Sequence, residues 1–369
     1  MTATSPASST AISNRTKKPE ACGAREQGLY AGFCFGRCVS AAQSGAIAQL
    51  GERFHGMEEV VGSIPSGSTK VASAVTVRGL IAFPITPADP HGVADEAALR
   101  ALLRRLTGAR VDAIGLLGST GLYPFFTRAE RRRIIEIAAD AAGGTPLLVG
   151  VGALRTDDAV ALAQDAAAAG AAELLLAPMA YTPLRDDEVF EHFAAVARAT
   201  NVPICVYNNP GTTHFTISAA LTARLSRVPN IGSAKHPAPP HDAAAHLANL
   251  RAQCAEGFAL GYSIDKHATE AMIAGGAAWY SVLGGLFPRP LLAVLAAIRA
   301  GDVAQARRLD AALAPVWALF DEHSSLRVMY AAINALGIAQ VKPPRPLLPL
   351  APDVEARVMQ ALAPLAAAD

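Results

Sequence analysis

The chain has 369 residues, of which 51% are hydrophobic and 17% charged, with a formal net charge of +1. That length and apolar content suffice for a large core and exclude a wholly disordered chain. The balance of 32 basic against 31 acidic residues argues against a broad nucleic-acid or anionic-membrane surface, and five cysteines are too few for a disulfide scaffold.

Residues 1–74 differ from the rest. They are rich in Ser, Thr and Gly, hold Cys22, Cys34 and Cys38, and carry seven basic and five acidic side chains, leaving 25 basic and 26 acidic downstream. Their opening lacks the basic and apolar regions of a secretory signal. Cys34, Cys38 and His55 match no zinc-ligand spacing and read as incidental. The passages 44–56 and 60–69 resemble the conceptual translation of a tRNA gene. Residues 1–74 are therefore expected to be a disordered extension left by a start placed too far upstream, with an ordinary N-terminal tail as the alternative.

From Val77 onward, short apolar runs alternate with longer amphipathic stretches. The runs cover 77–85, 113–117, 146–151, 173–177, 203–207, 231–235, 258–260 and 278–283, each of strand length. Between them, 95–107, 128–142, 156–169 and 186–200 repeat apolar residues every three or four positions, with acids near their starts. Eight such units over residues 75–300 predict a (β/α)8 TIM barrel. An open doubly wound sheet is the alternative, but no G-x-G-x-x-G follows the first strand.

The uncharged stretch 271–287 contains four glycines and falls short of the ~20 apolar residues of a membrane span, so it reads as a buried barrel strand. The chain is expected to be soluble, cytoplasmic and free of membrane contacts. After Ile298 the pattern is helical: 302–320, 326–336 and 352–367, with Lys342-Pro-Pro-Arg-Pro346 as a rigid linker. These C-terminal helices (301–369) are expected to pack on the barrel flank or on a neighbouring subunit.

Barrel enzymes carry their chemistry where strands end. The second run leads into Gly118-Ser119-Thr120-Gly121, the fifth ends in Tyr207-Asn208-Asn209-Pro210-Gly211, and the sixth ends at Lys235, with no acid among its immediate sequence neighbours. A lysine held in an apolar barrel loses the hydration of its charge, which favours the free amine, and such an amine can attack a ketone to form an imine. The alternative is a lysine that snorkels out of a strand end. Tyr207 could relay protons beside it or be a core tyrosine bound to backbone. The Gly118–Gly121 turn could cradle a carboxylate with its amides and hydroxyls, or simply end a strand.

Together these motifs resemble the dihydrodipicolinate synthase / N-acetylneuraminate lyase family of class I aldolases. The resemblance spans residues 77–300 and rests on Gly118–Gly121 (G-[ST]-T-G), Tyr207–Pro210 (Y-N-x-P), Gly232–Lys235 (G-x-x-K) and the strand of Ala278, Trp279, Tyr280, Ser281 and Val282. It implies that Lys235 forms a Schiff base with pyruvate or another 2-oxo acid. It also implies that Tyr207 is the general acid/base with Ser119 in its relay, and that Gly118, Ser119 and Thr120 hold the substrate carboxylate. The backbone carbonyl of Tyr280 would contact substrate. No metal or organic cofactor is implied, and the usual assembly is a homotetramer or dimer.

The chain departs from the family pattern at three places. Leu122 replaces a glutamate and Thr212 an arginine that grips a second, acidic substrate. Pro178-Met179-Ala180 replaces a segment that supplies a tyrosine across the subunit interface, with Tyr181 displaced by one and Tyr123 as another candidate. These changes point away from strict dihydrodipicolinate synthase activity and toward a lyase or aldolase whose second reactant is less acidic. The alternative is a catalytically impaired barrel that binds 2-oxo acids or serves assembly. His236, beside Lys235, is a further candidate proton donor or a solvated loop histidine.

Overall fold

In the computed structural model of the chain, residues 76–368 are described. The expected N-terminal extension, with Cys34, Cys38 and His55, lies outside them. Up to the midpoint the order is β1 (Gly79–Ala82), α1 (Glu96–Ala109), β2 (Ala113–Leu116), α2 (Arg128–Ala141), β3 (Leu147–Gly150), α3 (Thr156–Ala168), β4 (Glu173–Leu176) and α4 (Asp186–Arg198). It continues with β5 (Ile204–Tyr207), the short α5 (Pro210–Thr213), α6 (Ala219–Leu225), β6 (Ile231–Pro237), α7 (Ala243–Gln253), β7 (Ala259–Ser263), α8 (Asp265–Ile273) and β8 (Ala278–Ser281). Five helices follow: α9 (Pro288–Arg299), α10 (Val303–Ala311), α11 (Ala314–His323), α12 (Ser325–Ala335) and α13 (Pro352–Ala368).

The eight strands pair in parallel, each with its sequence neighbour, and β8 closes on β1. This is the (β/α)8 TIM barrel read from the sequence. Side-chain alternation divides every strand between two environments. In β5, Ile204 and Val206 face the helices, whereas Cys205 and Tyr207 face the interior beside Ile81, Phe83, Leu148, Leu175 and Tyr280. Helix α1 has the complementary pattern: Leu99, Leu102, Leu103 and Leu106 are fully buried at helical spacing. Truncating one of them to Ala costs about 2–5 kcal/mol. Asp95 caps α1 by accepting from the Ala98 amide at 3.0 Å, and Thr127 with Glu130 forms a capping box on α2.

Two sequence expectations shift. Strand β6 runs past Lys235 to Pro237, because His236 and Pro237 stay in register with Tyr262 and Ser263 of β7. Lys235 is thus two residues inside the strand. The single helix expected over 302–320 is split into α10 and α11, with Pro315 in the first turn of α11, where a missing N–H is harmless. The uncharged stretch contains the end of α8 and all of β8, and no helix among the described residues is long and apolar enough to cross a membrane.

The C-terminal helices pack on one flank of the barrel. Helix α10 rests on α8 and α9, α11 on α8, and α13 on α9 as well as on α11 and α12. Lys266 of α8 reaches Asp321 of α11 at 2.8 Å, tying this flank to the mouth of the barrel.

Candidate active site

A cavity of about 330 Å³ opens at the C-terminal ends of the strands. Its floor includes Phe83, Tyr207, Lys235 and Tyr280, and its wall includes Ser119, Thr120 and Asn209. Helices α11 and α12 and the residue between them contribute Phe320, Asp321, Leu326 and Ser324 to the mouth. A larger recess of about 970 Å³ lies at the opposite end, around Arg78, Pro203 and Ile231, and contains none of the strand-end side chains. The smaller cavity is where a barrel concentrates its chemistry.

Lys235 is 5% exposed. Its Nζ lies 3.9 Å from the Tyr207 ring centroid, 4.3 Å from that of Phe83 and 5.6 Å from that of Tyr280. No carboxylate among the described residues forms an ion pair with it. Tyr207 is in register with Lys235 on the adjacent strand, so pairing of β5 with β6 sets the two groups side by side.

The Tyr207 hydroxyl lies 3.2 Å from Ser119 Oγ, so the structure brings these two candidates together. The third member of that cluster was not expected. Asn209 Nδ2 donates to Tyr207 Oη at 2.8 Å, to Thr212 Oγ1 at 2.7 Å and to Ser119 Oγ at 3.1 Å. Tyr181 is 96% exposed, and Tyr123 is buried beneath the Arg131 guanidinium at 5.2 Å; neither lines the cavity. Burial, reinforced by Tyr207, holds the Tyr123 phenol well above its ordinary range.

Thr120 lines the cavity beside Ser119, but Gly118 does not. A Cβ on Gly118 would come within 2.8 Å of the Phe83 ring, and one on Gly285 within 2.1 Å of the Phe83 carbonyl oxygen. These glycines make room for Phe83, which in turn covers Lys235. The Tyr280 side chain faces inward, with its hydroxyl 3.3 Å from Cys205 Sγ.

His236 is on the other side of β6, as alternation dictates. Asn208 Nδ2 donates to its Nδ1 at 3.1 Å, and burial lowers its pKa to about 3. It is a neutral element of the barrel wall. Asn208 also donates to the Ile217 carbonyl at 3.1 Å and accepts from the Ile217 amide at 3.0 Å, clamping the loop after β5.

Two buried acids escaped the sequence reading. Glu173, at the foot of the barrel, accepts from the Val77 amide at 2.9 Å and from Ser233 Oγ at 2.5 Å, and burial raises its pKa to about 7. Ser233 is two positions below Lys235 on the inward face of β6. Asp265 accepts from Trp279 Nε1 at 2.7 Å and from the Val282 and Leu283 amides at 2.9 and 3.1 Å, fixing the exit from β8. Its carboxyl is also raised by burial.

Residues 76–365 match the Dihydrodipicolinate synthetase family. A 4-hydroxy-tetrahydrodipicolinate synthase of Azoarcus sp. (strain BH72) is 32% identical over 288 residues, covering 78% of this chain and 97% of that protein. The crystal structure of a dihydrodipicolinate synthase from Agrobacterium tumefaciens str. C58 is similar with a TM-score of 0.77 and 53% identity, over 78% of this chain and 98% of that one. A chloride-inhibited dihydrodipicolinate synthase from Acinetobacter baumannii, complexed with pyruvate, is similar with a TM-score of 0.73 and 26% identity, over 79% and 99% of the two chains. The chain belongs to the dihydrodipicolinate synthetase family.

Proposed function

We propose that the protein is a lyase of the class I aldolase type that forms a Schiff base between Lys235 and pyruvate or another 2-oxo acid. The observation that carries this reading is the Lys235 amine, buried among aromatic faces without a carboxylate and set beside the paired hydroxyls of Tyr207 and Ser119. Nζ adds to the C2 ketone, and the carbinolamine loses its oxygen as water with Tyr207 Oη moving the proton. The protonated imine then draws electrons from C3. A C3 proton departs to give an enamine that attacks an aldehyde, or in reverse a C3–C4 bond breaks. A related dehydration would use the same imine. Ser119 and Thr120 hold the substrate carboxylate through hydroxyls and turn amides, and the Tyr280 backbone carbonyl borders the same end. The imine is itself the electron sink, so this route calls on no metal or organic cofactor.

The second reactant is less acidic than an aldehyde that needs an arginine clamp. Among the described residues no arginine lines the cavity, Thr212 stands at the departing position, and the one further cation there, Lys266, is held by Asp321. Ile264, Val282, Phe320 and Leu326 add apolar surface. We read the working form as a cytoplasmic homo-oligomer, tetramer or dimer, which light scattering would check.

Borohydride reduction with pyruvate tests the imine. A mass increase mapped to Lys235, absent in Lys235→Ala, is expected. No adduct with pyruvate or other 2-oxo acids would overturn the proposal.

A further inference from the structure

We infer that Asn209 is the positioning residue of the Tyr207–Ser119 pair, supplying from within the same chain the group that orients the proton relay. The inference rests on the Schiff-base reading above. Asn209 follows the motif's asparagine and precedes Pro210, which biases its backbone toward extended conformations. Its carbonyl accepts from the Thr212 and Thr213 amides, both at 3.0 Å, and from Thr213 Oγ1 at 3.0 Å. The backbone is thereby clamped at the start of α5, and the side-chain amide turns back over the cavity.

Three hydroxyl oxygens surround the Nδ2 group: Tyr207 at 2.8 Å, Thr212 at 2.7 Å and Ser119 at 3.1 Å. An amide nitrogen donates and cannot accept. Its two hydrogens are shared among these oxygens, the shortest contacts being to Thr212 and Tyr207, so the Tyr207 hydroxyl proton is turned away from Nδ2. The Tyr207 proton is then directed toward Ser119 Oγ or toward substrate. When Tyr207 Oη has released its proton, an N–H aimed at it stabilises the resulting phenolate. Tyr181 is exposed and Tyr123 lies beneath Arg131, and the described hydrogen bonds to the Tyr207 hydroxyl come from Ser119 and Asn209.

Deuterium exchange at pyruvate C3, followed by proton NMR, reads the proton-transfer step without a second reactant. Borohydride trapping of pyruvate on Lys235 reads imine formation separately and shows that a variant is folded around its lysine. In Asn209→Leu, exchange is expected to fall ~10-fold or more, less than the ~10²–10⁴-fold of losing the proton-transfer group itself, while the trapped adduct persists. In Asn209→Asp, a carboxylate replaces the donor with an acceptor and repels the phenolate. Its exchange relative to wild type should be low at pH 8 and rise as pH falls toward 5, a dependence that a purely structural role would not produce. Wild-type rates in Asn209→Leu, or a pH-independent ratio near one in Asn209→Asp, would overturn the assignment while leaving the imine intact. Wild-type protein that neither traps nor exchanges pyruvate would overturn the Schiff-base reading and this inference with it.

Discussion

The floor and the mouth of the cavity each hold a lysine, in opposite settings. At the mouth, Lys266 is one-third exposed and contacts both carboxylate oxygens of Asp321, at 2.9 and 2.8 Å. At the floor, Lys235 is 5% exposed and meets three aromatic faces and no carboxylate. Asp321 holds the Lys266 ammonium in place, whereas Lys235 has no carboxylate among the described residues to hold it and opens onto the cavity. On the proposed imine route, the partner withheld from Lys235 matters as much as the residue supplied.

The sharpest way to break that contrast is to remove the floor lysine. Lys235→Ala should lower turnover on any substrate of the imine route by at least ~10³-fold, in the range seen when a covalent nucleophile is deleted. The barrel should stay folded, with a thermal midpoint lowered only by the lost contacts to three aromatic rings. Normal turnover would show that the floor is not the reactive centre. Tyr207→Phe keeps the ring against Nζ and deletes the hydroxyl, so it should cost ~10²–10⁴-fold in turnover. Unchanged kinetics in that variant would leave the aromatic face, not the relay, as the contribution of Tyr207.

Beneath the floor, Glu173 has a folded-state pKa of about 7, above the ordinary carboxylate value of 4.5. The folded state therefore binds the proton more tightly than the unfolded one. The stability linked to this group is complete below about pH 4.5 and is lost as pH rises through 7. Glu173→Gln imitates the protonated form and should remove that loss, gaining up to ~3 kcal/mol on going from pH 5 to pH 8 relative to wild type. Denaturant titrations at several pH values check it; a difference that does not grow with pH would refute the raised pKa. His236 has the opposite sign. Its pKa of about 3 lies below the usual 6.5, so its contribution is lost as pH falls from about 6.5 toward 3.

The smallest effect belongs to the mouth. Lys266→Met should cost no more than ~1 kcal/mol of stability, as for partly exposed ion pairs. Pyruvate trapping at Lys235 should be unchanged. If trapping disappeared, Lys266 would be part of the reactive centre and the contrast between floor and mouth would fail.

Much of the architecture could be read in advance because its signals are local. Short apolar runs alternating with period-three-or-four stretches were enough for a barrel, and the strand ends pointed to Tyr207, Lys235 and the turn of Ser119 and Thr120. His236, read as a candidate proton donor or a solvated loop histidine, is instead buried within β6. Strand β6 was read too short because His236 and Pro237 look like a break, yet pairing with β7 carries the strand through them. Asn209 carried no signal of its own: it occupies the variable position of Y-N-x-P, and its direction depends on how the loop folds back after β5. Phe83 was legible only as an apolar residue, since nothing local indicates that Gly118 clears a place for its ring and Gly285 for its carbonyl.

The sequence by itself determined the alternation of strands and helices and the placing of a lysine and a tyrosine near strand ends, because each depends on residues within one or two turns of chain. Tertiary structure decided which groups those residues meet. Tyr207 reaches Ser119, 88 positions away, and Lys266 reaches Asp321, 55 positions away, only because the barrel closes and the C-terminal helices fold against its flank. Hydrogen bonds and ion pairs act over a few ångströms, so closure of the fold, rather than proximity in the chain, leaves one lysine paired and the other beside a tyrosine.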